Sequence, residues 1–249
     1  MTTPLKIHKV KDDADNYYIT PKSELLAQLP SRAIFNGRSL LSGKTTYLTN
    51  YLILPEFMGD YFKGDNIYII SGSLDIDNKI KHIIELKEIP DTNLFNEYSN
   101  SIVQFIYNKI EDDYKEKEEQ GEVPEQCLLI LDDCGHDTQT KKSDILNSVF
   151  TRGRHINLSC WVLLQRFTQA STTMRSNASC FVLFTGMSNK ELDLVAEDVN
   201  FLTSKKQFIK MYRDQTKEKY SFIYINIGNP IDKLYLDQNF QPIDVSQYE

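Results

Sequence analysis

Between Gly37 and Thr46 the chain reads Gly-Arg-Ser-Leu-Leu-Ser-Gly-Lys-Thr-Thr, a glycine-bounded loop that closes on a lysine and two hydroxyls. Set between a strand and a helix, such a loop binds phosphate. Backbone N–H groups at the helix N-terminus point at the anion, Lys44 reaches the β- and γ-phosphates, and the Thr45 hydroxyl ligates Mg2+. The candidate nucleotide-binding residues are therefore Gly37, Ser42, Gly43, Lys44, Thr45 and Thr46. The usual pattern places four residues between the first glycine and the Gly-Lys pair, whereas here there are five, Arg38 to Ser42. Either the extra residue bulges, or the first glycine is displaced and Arg38 takes its place.

Two further groups complete the chemistry. The apolar run from Cys127 to Leu131 ends in Asp132 and Asp133. At a strand tip Asp132 can hold Mg2+ through water, and Asp133 beside it can polarise an attacking water as general base. The bland alternative is a strand ending in a solvated acidic turn. A second apolar run, Ser159 to Leu164, ends in Gln165, whose amide can bond that water or sense the γ-phosphate. Arg154, ahead of this run, is either a surface ion-pair residue or a planar cation that reaches across a subunit boundary to the transferring phosphoryl group.

The elements that must hold these groups follow from patterning. Arg32 to Asn36 reads as a strand, the segment after Gly43 as a helix, and Asn66 to Ser71 as a strand bounded by turn residues. Helices are expected over Asp75–Lys87 and Ser99–Glu119, and further strands over Cys127–Leu131, Ser159–Leu164 and Cys180–Thr185. This alternation predicts an α/β fold with a mainly parallel central sheet and helices on both faces. Phe208–Arg213 and Tyr220–Ile225, flanking Asp214–Lys217, suggest a C-terminal β-hairpin added to the sheet. Residues 1–30 are polar and read as an N-terminal arm, with 31–249 as a single domain.

The whole chain agrees with a folded, water-facing domain. Of 249 residues 41% are hydrophobic and 11% aromatic, enough to bury a sizeable core. No stretch approaches eighteen consecutive apolar residues and the N-terminus lacks a secretion signal, so no membrane insertion and an intracellular location are expected. Cys127, Cys134, Cys160 and Cys180 lack metal-site spacing and read as buried thiols. The net charge of −7 argues against a broad basic surface, though a few lysines concentrated locally can still steer nucleic acid.

Taken together, the motifs resemble the FtsK/HerA superfamily of P-loop ATPases, specifically the short genome-packaging ATPases of double-stranded DNA viruses with double jelly-roll capsids. The resemblance covers about residues 32 to 225. It rests on Gly37 to Thr46, on Leu128 to Asp133, on Arg154-His155 followed by the strand closing with Gln165-Arg166, and on Met174 to Ala178 before Phe181–Phe184. It implies a RecA-like (ASCE) core, ATP with Mg2+, a homo-oligomeric ring (pentamer or hexamer) and translocation of double-stranded DNA into a capsid. A capsid or portal vertex protein would be a partner, and the host cytoplasm or the virion the place of work. In that family the counterpart of Arg154 acts in trans and that of Gln165 is the sensor. Asp133 in place of Glu, and the lengthened loop, are departures. The rivals are a cellular HerA-like translocase, against which the lack of an accessory N-terminal barrel weighs, and a nucleotide-binding assembly switch with little turnover.

Overall fold

Apolar runs too hydrophobic to face water on either side become the inner strands of one sheet. The computed structural model describes residues 18–39, 42–134 and 138–248. In chain order the elements are β1 (Arg32–Asn36), α1 (Lys44–Ile53), β2 (Ile67–Ser71), α2 (Asn78–Lys87), β3 (Leu94–Phe95), α3 (Asn100–Glu119), β4 (Cys127–Asp132), α4 (Thr138–Lys141), α5 (Asp144–Arg152), β5 (Leu158–Leu164), α6 (Thr172–Asn177), β6 (Cys180–Phe184), α7 (Asn189–Val199), α8 (Lys205–Gln215), β7 (Phe222–Asn226), α9 (Ile231–Leu234) and β8 (Tyr235–Leu236). Among the described residues the sheet has eight strands in the order β3-β2-β4-β5-β1-β6-β7-β8. The first six in that order are parallel to one another, whereas β7 pairs antiparallel with β6 and β8 antiparallel with β7.

Successive side chains of a strand point to opposite faces, and here each face meets its own core. Ala33 and Phe35 of β1, Leu128 and Ile130 of β4, and Trp161 and Leu163 of β5 pack with Leu48 and Leu52 of α1 and Ile80 and Ile83 of α2. Ile34, Leu129, Leu131 and Val162 point the other way, onto Val103 and Ile106 of α3, Leu146 and Phe150 of α5, and Val195 of α7. Helices therefore cover both faces, as the alternating pattern predicts.

The hairpin expectation is corrected. Residues 208–213 are not a hairpin strand but the middle of α8. Gln207, Phe208, Met211 and Tyr212 are its buried side, at spacings of one, three and four residues, and the Ser204 hydroxyl caps the helix by accepting from the Gln207 N–H. Helical periodicity outweighs the strand-forming residue types there. The second half of the expected hairpin is a strand, β7, but it pairs antiparallel with β6 and with β8. The segment read as an arm is also folded where it is described. Leu26, Ala27 and Leu29 are buried in the core, and the Ala27 N–H donates to the Tyr224 hydroxyl at 2.9 Å. Three apolar side chains among polar neighbours were enough to dock it. Residues 1–17 of that segment lie outside the described residues.

Both edges of the sheet are short. β3 and β8 are two residues each, and beyond β8 an isolated bridge joins Leu236 to Pro242.

Candidate active site

Parallel strands present their C-terminal ends together, and the register places the chemistry there. Asn36 of β1 lies opposite Leu164 of β5, and Asp132 of β4 opposite Leu163. Gly37, Asp132, Asp133 and Gln165 thus share the end of the sheet where the parallel strands finish. β5 lies between the loop strand β1 and the acidic strand β4, so the amide reaches the space between phosphate loop and carboxylates.

The loop is shaped by close approach. A Cβ on Gly37 would lie 2.5 Å from the Ser42 Cβ and 2.7 Å from the Phe184 Cβ, so a larger residue at this position would force its neighbours to shift. The Ser42 N–H donates to the Arg38 carbonyl at 3.2 Å, which ties the lengthened loop across its base. Leu40 and Leu41 lie outside the described residues. Gly43 stands at φ 67° as the N-cap of α1, whose first turn carries no acidic residue and no side-chain cap. That helix N-terminus presents N–H groups and a positive dipole end to an anion. The Lys44 ammonium is buried and donates to the Gly37 carbonyl. Burial lowers its pKa, and the Asp132 and Asp133 carboxylates raise it in part.

Asp132 is 6% exposed. Burial, then the neighbouring Asp133, pushes its pKa up to about 6, against the pull of Lys44. The Ser71 hydroxyl is 3.4 Å from its Oδ2. A carboxyl whose folded-state pKa lies above its unfolded value of about 3.9 costs stability once ionised. The penalty is absent below the unfolded value, grows as pH rises from about 4 to about 6, and is constant above. Asp132→Asn is therefore expected to stabilise the nucleotide-free protein in EDTA at pH 8, by up to about 3 kcal/mol, and by nearly nothing at pH 4. Urea melts of both proteins at the two pH values check this, and an equal difference at both would contradict it.

Asp133 adopts φ 54°, which turns its exposed side chain back toward β5. There the Gln165 Nε2 donates to the Asp133 Oδ1 at 2.6 Å. The Gln165 and Arg166 N–H groups both donate to the Gln169 Oε1, at 2.9 and 2.8 Å. Gln169, which the motif pattern does not reveal, thereby fixes the strand end that carries Gln165.

Lys44, Thr45, Asp132, Asp133 and Gln165 line one cleft of about 260 Å3, together with Ser73 from the turn after β2 and Asp77 and Lys79 from the start of α2. Those last three were not legible in sequence, where Asp77 shows only as a helix cap, accepting from the Lys79 N–H at 2.8 Å. Ser42 and Gly43 line the same cleft; Thr46 faces the adjoining cavity instead. Gly37 forms the base of the loop. Arg154 is not brought to this end of the sheet. It lies in the single turn Gly153–Ile156 ahead of β5, so the seven residues of β5, about 20 Å of strand, separate it from Gln165. It is exposed, and its charge adds to burial in lowering the pKa of Arg32 at the start of β1.

The donor set suits a hard divalent cation. A carboxylate, Asp132, and a hydroxyl, Thr45, face the cleft beside the phosphate loop, and oxygen ligands of that kind hold Mg2+ alongside substrate phosphates. Burial makes the Asp132 charge costly without a cation, which is the environment such an ion relieves.

A mainly parallel sheet with a phosphate loop after one strand, paired acids after another and a polar amide on the strand between them defines a P-loop NTPase of RecA-like architecture. More narrowly, the chain belongs to the poxvirus A32 protein family, whose model matches residues 21–231. Over 116 residues, 47% of this chain, it is 25% identical to the uncharacterized protein 015R of Frog virus 3 (isolate Goorha), and spans 34% of that protein's length. The fold is similar to the genome packaging NTPase B204 from Sulfolobus turreted icosahedral virus 2 in complex with AMP, with a TM-score of 0.58 at 14% identity over 86% of this chain and 98% of that one. B204, the DNA-packaging ATPase from Sulfolobus Turreted Icosahedral Virus, gives 0.57 at 13% identity over 90% and 100%. The cytoplasmic domain of the Thermomonospora curvata type VII secretion ATPase EccC gives 0.54 at 11% identity, over 81% of this chain and 25% of that one. The resemblance to viral packaging ATPases and the α/β, RecA-like expectation are borne out. Among the described residues no helix is long and apolar enough to cross a membrane.

Proposed function

We propose that this chain is an ATPase that uses ATP with Mg2+ to drive double-stranded viral DNA into a capsid, as one subunit of a homo-oligomeric ring. The observation that carries this reading is the Gln165–Asp133 hydrogen bond, which sets an amide and a carboxylate beside a phosphate loop, in a chain whose family is viral and whose fold relatives include viral packaging NTPases. Lys44 and the N–H groups at the start of α1 hold the β- and γ-phosphates. Thr45 and Asp132 would hold Mg2+, which supplies charge neutralisation on those phosphates. Asp133 accepts a proton from the attacking water, whose oxygen bonds the γ-phosphorus as the bond to the bridging oxygen breaks, leaving ADP and inorganic phosphate. Gln165 orients that water. Arg154 serves the site of an adjoining subunit, and a capsid or portal vertex protein anchors the ring during assembly inside the host.

Steady-state phosphate release in Mg2+, with and without duplex DNA, tests the reading, together with light-scattering mass with and without nucleotide. Hydrolysis stimulated by duplex DNA in a pentamer- or hexamer-sized particle is the expected result. Turnover at background in both conditions would transfer the assignment to an assembly switch that binds nucleotide without using it.

A further inference from the structure

Beside the phosphate cleft lies a second cavity, of about 530 Å3. The two share Ser42, Gly43 and Lys79 in their walls, so whatever carries the phosphates extends from one toward the other. The volume is that of a small-molecule site, and the walls are aromatic. Tyr47 and Phe222 meet edge to face at 4.9 Å, and Phe57 and Phe240 stand 4.9 Å apart, all four lining the cavity.

Tyr220 is the unusual member. Its φ of 70° is a conformation that bulky side chains avoid at a cost of about 1–3 kcal/mol. Its ring lies against the phosphate loop, with Cδ1 3.5 Å from where a Gly43 Cβ would be. Yet the residue is 55% exposed, so core packing does not account for the strained placement. Phe240, on another wall, also has positive φ, 58°. Lys219 stands 5.5 Å from the Tyr220 ring centroid, one cation against one face.

Few groups here can read the edge of a base. One N–H of the Asn50 amide is committed to the Thr46 carbonyl at 2.9 Å, leaving one donor and the amide oxygen, a pair that can meet either purine edge, and the Tyr51 hydroxyl meets that of Tyr224 at 3.3 Å. The Tyr47 hydroxyl is buried without a partner, and a hydroxyl rotates to donate or to accept, so it favours neither adenine nor guanine.

We infer that this cavity takes the base of the bound nucleoside triphosphate by aromatic stacking, with Tyr220 as the closing ring, and that it selects by ring area instead of hydrogen-bond pattern. Purines bind over pyrimidines, and ATP and GTP bind alike. The inference rests on the nucleotide reading above and adds the class of base accepted and the residue that holds it.

Calorimetric titration with ATP, GTP, CTP and inorganic tripolyphosphate, on the full chain and on Tyr220→Ala and Tyr220→Phe, tests it. Loss of one stacking ring is expected to weaken ATP and GTP by about 5- to 150-fold in Tyr220→Ala, with tripolyphosphate unchanged and Tyr220→Phe close to the native chain. The native chain is expected to bind ATP and GTP within a few-fold of each other and CTP more weakly. Unchanged ATP affinity in Tyr220→Ala overturns the proposal, as does a discrimination between ATP and GTP as large as that against CTP. A parallel loss of tripolyphosphate overturns it too, by showing that Tyr220 props the loop. If the native chain binds neither ATP nor tripolyphosphate, the phosphate-loop reading itself fails.

Discussion

Arg154→Ala lowers ATP hydrolysis by about 10³-fold or more while ATP binds as tightly as before, and activity returns when this variant is mixed with Lys44→Ala. The geometry explains both halves. Within one chain Arg154 sits before β5 and Gln165 after it, at opposite ends of that strand, so no rotamer of Arg154 spans the strand to its own phosphates. On the proposed reading the nucleotide a guanidinium there serves is another copy's, where its planar charge would stabilise the transferring phosphoryl group. The two variants are complementary, because Arg154→Ala keeps an intact loop and Lys44→Ala keeps an intact arginine. In a random equal mixture about a quarter of head-to-tail interfaces join an intact loop to an intact arginine, and phosphate release after subunit exchange should rise to a comparable fraction of the native rate. Mixtures that exchange subunits yet stay inactive would refute the trans assignment, and so would an unaltered rate for Arg154→Ala alone.

Asp133→Asn has the second large effect, a loss of about 10²- to 10⁴-fold in the chemical step with nucleotide affinity retained. The substitution is chosen to isolate proton transfer. Asn tolerates positive φ better than other non-glycine residues, so the φ of 54° is kept, and its side-chain oxygen still accepts from Gln165. What disappears is the base. Asp133→Ala would combine that loss with backbone strain and a vacated hydrogen bond, and so could not separate the causes. Single-turnover hydrolysis with a parallel measurement of ATP affinity decides the matter, and a rate within tenfold of native would remove Asp133 from the chemistry.

The strands were legible because continuous apolar runs such as Leu128–Leu131 and Trp161–Leu164 can only be inner strands, and the phosphate loop and acids were legible because they sit at the ends of those runs. The α8 segment was not, since Phe208, Ile209 and Tyr212 are types common in strands, and the evidence for a helix is the spacing of its buried residues together with the Ser204 cap. The aromatic cavity was hidden for a different reason. Tyr47, Phe184, Tyr220 and Phe240 are brought together from far apart in the chain by α1, β6 and the segments flanking β7 and β8, and nothing local to any one of them marks it. Lys79 and Gln169 belong to the same class. Their importance is a matter of what they face, which a sequence window cannot show.

The two short edge strands carry a consequence for crowding. Exposed sheet edges recruit other edges, and the hazard grows when many copies are held side by side. Here each edge offers two residues of ladder, and one is followed by a bridge at Pro242, which has no N–H to give. In the proposed ring such edges give copies little ladder with which to fuse their sheets into a continuous ribbon, so their contacts would fall to helices and loops, whose hold can be loosened and remade.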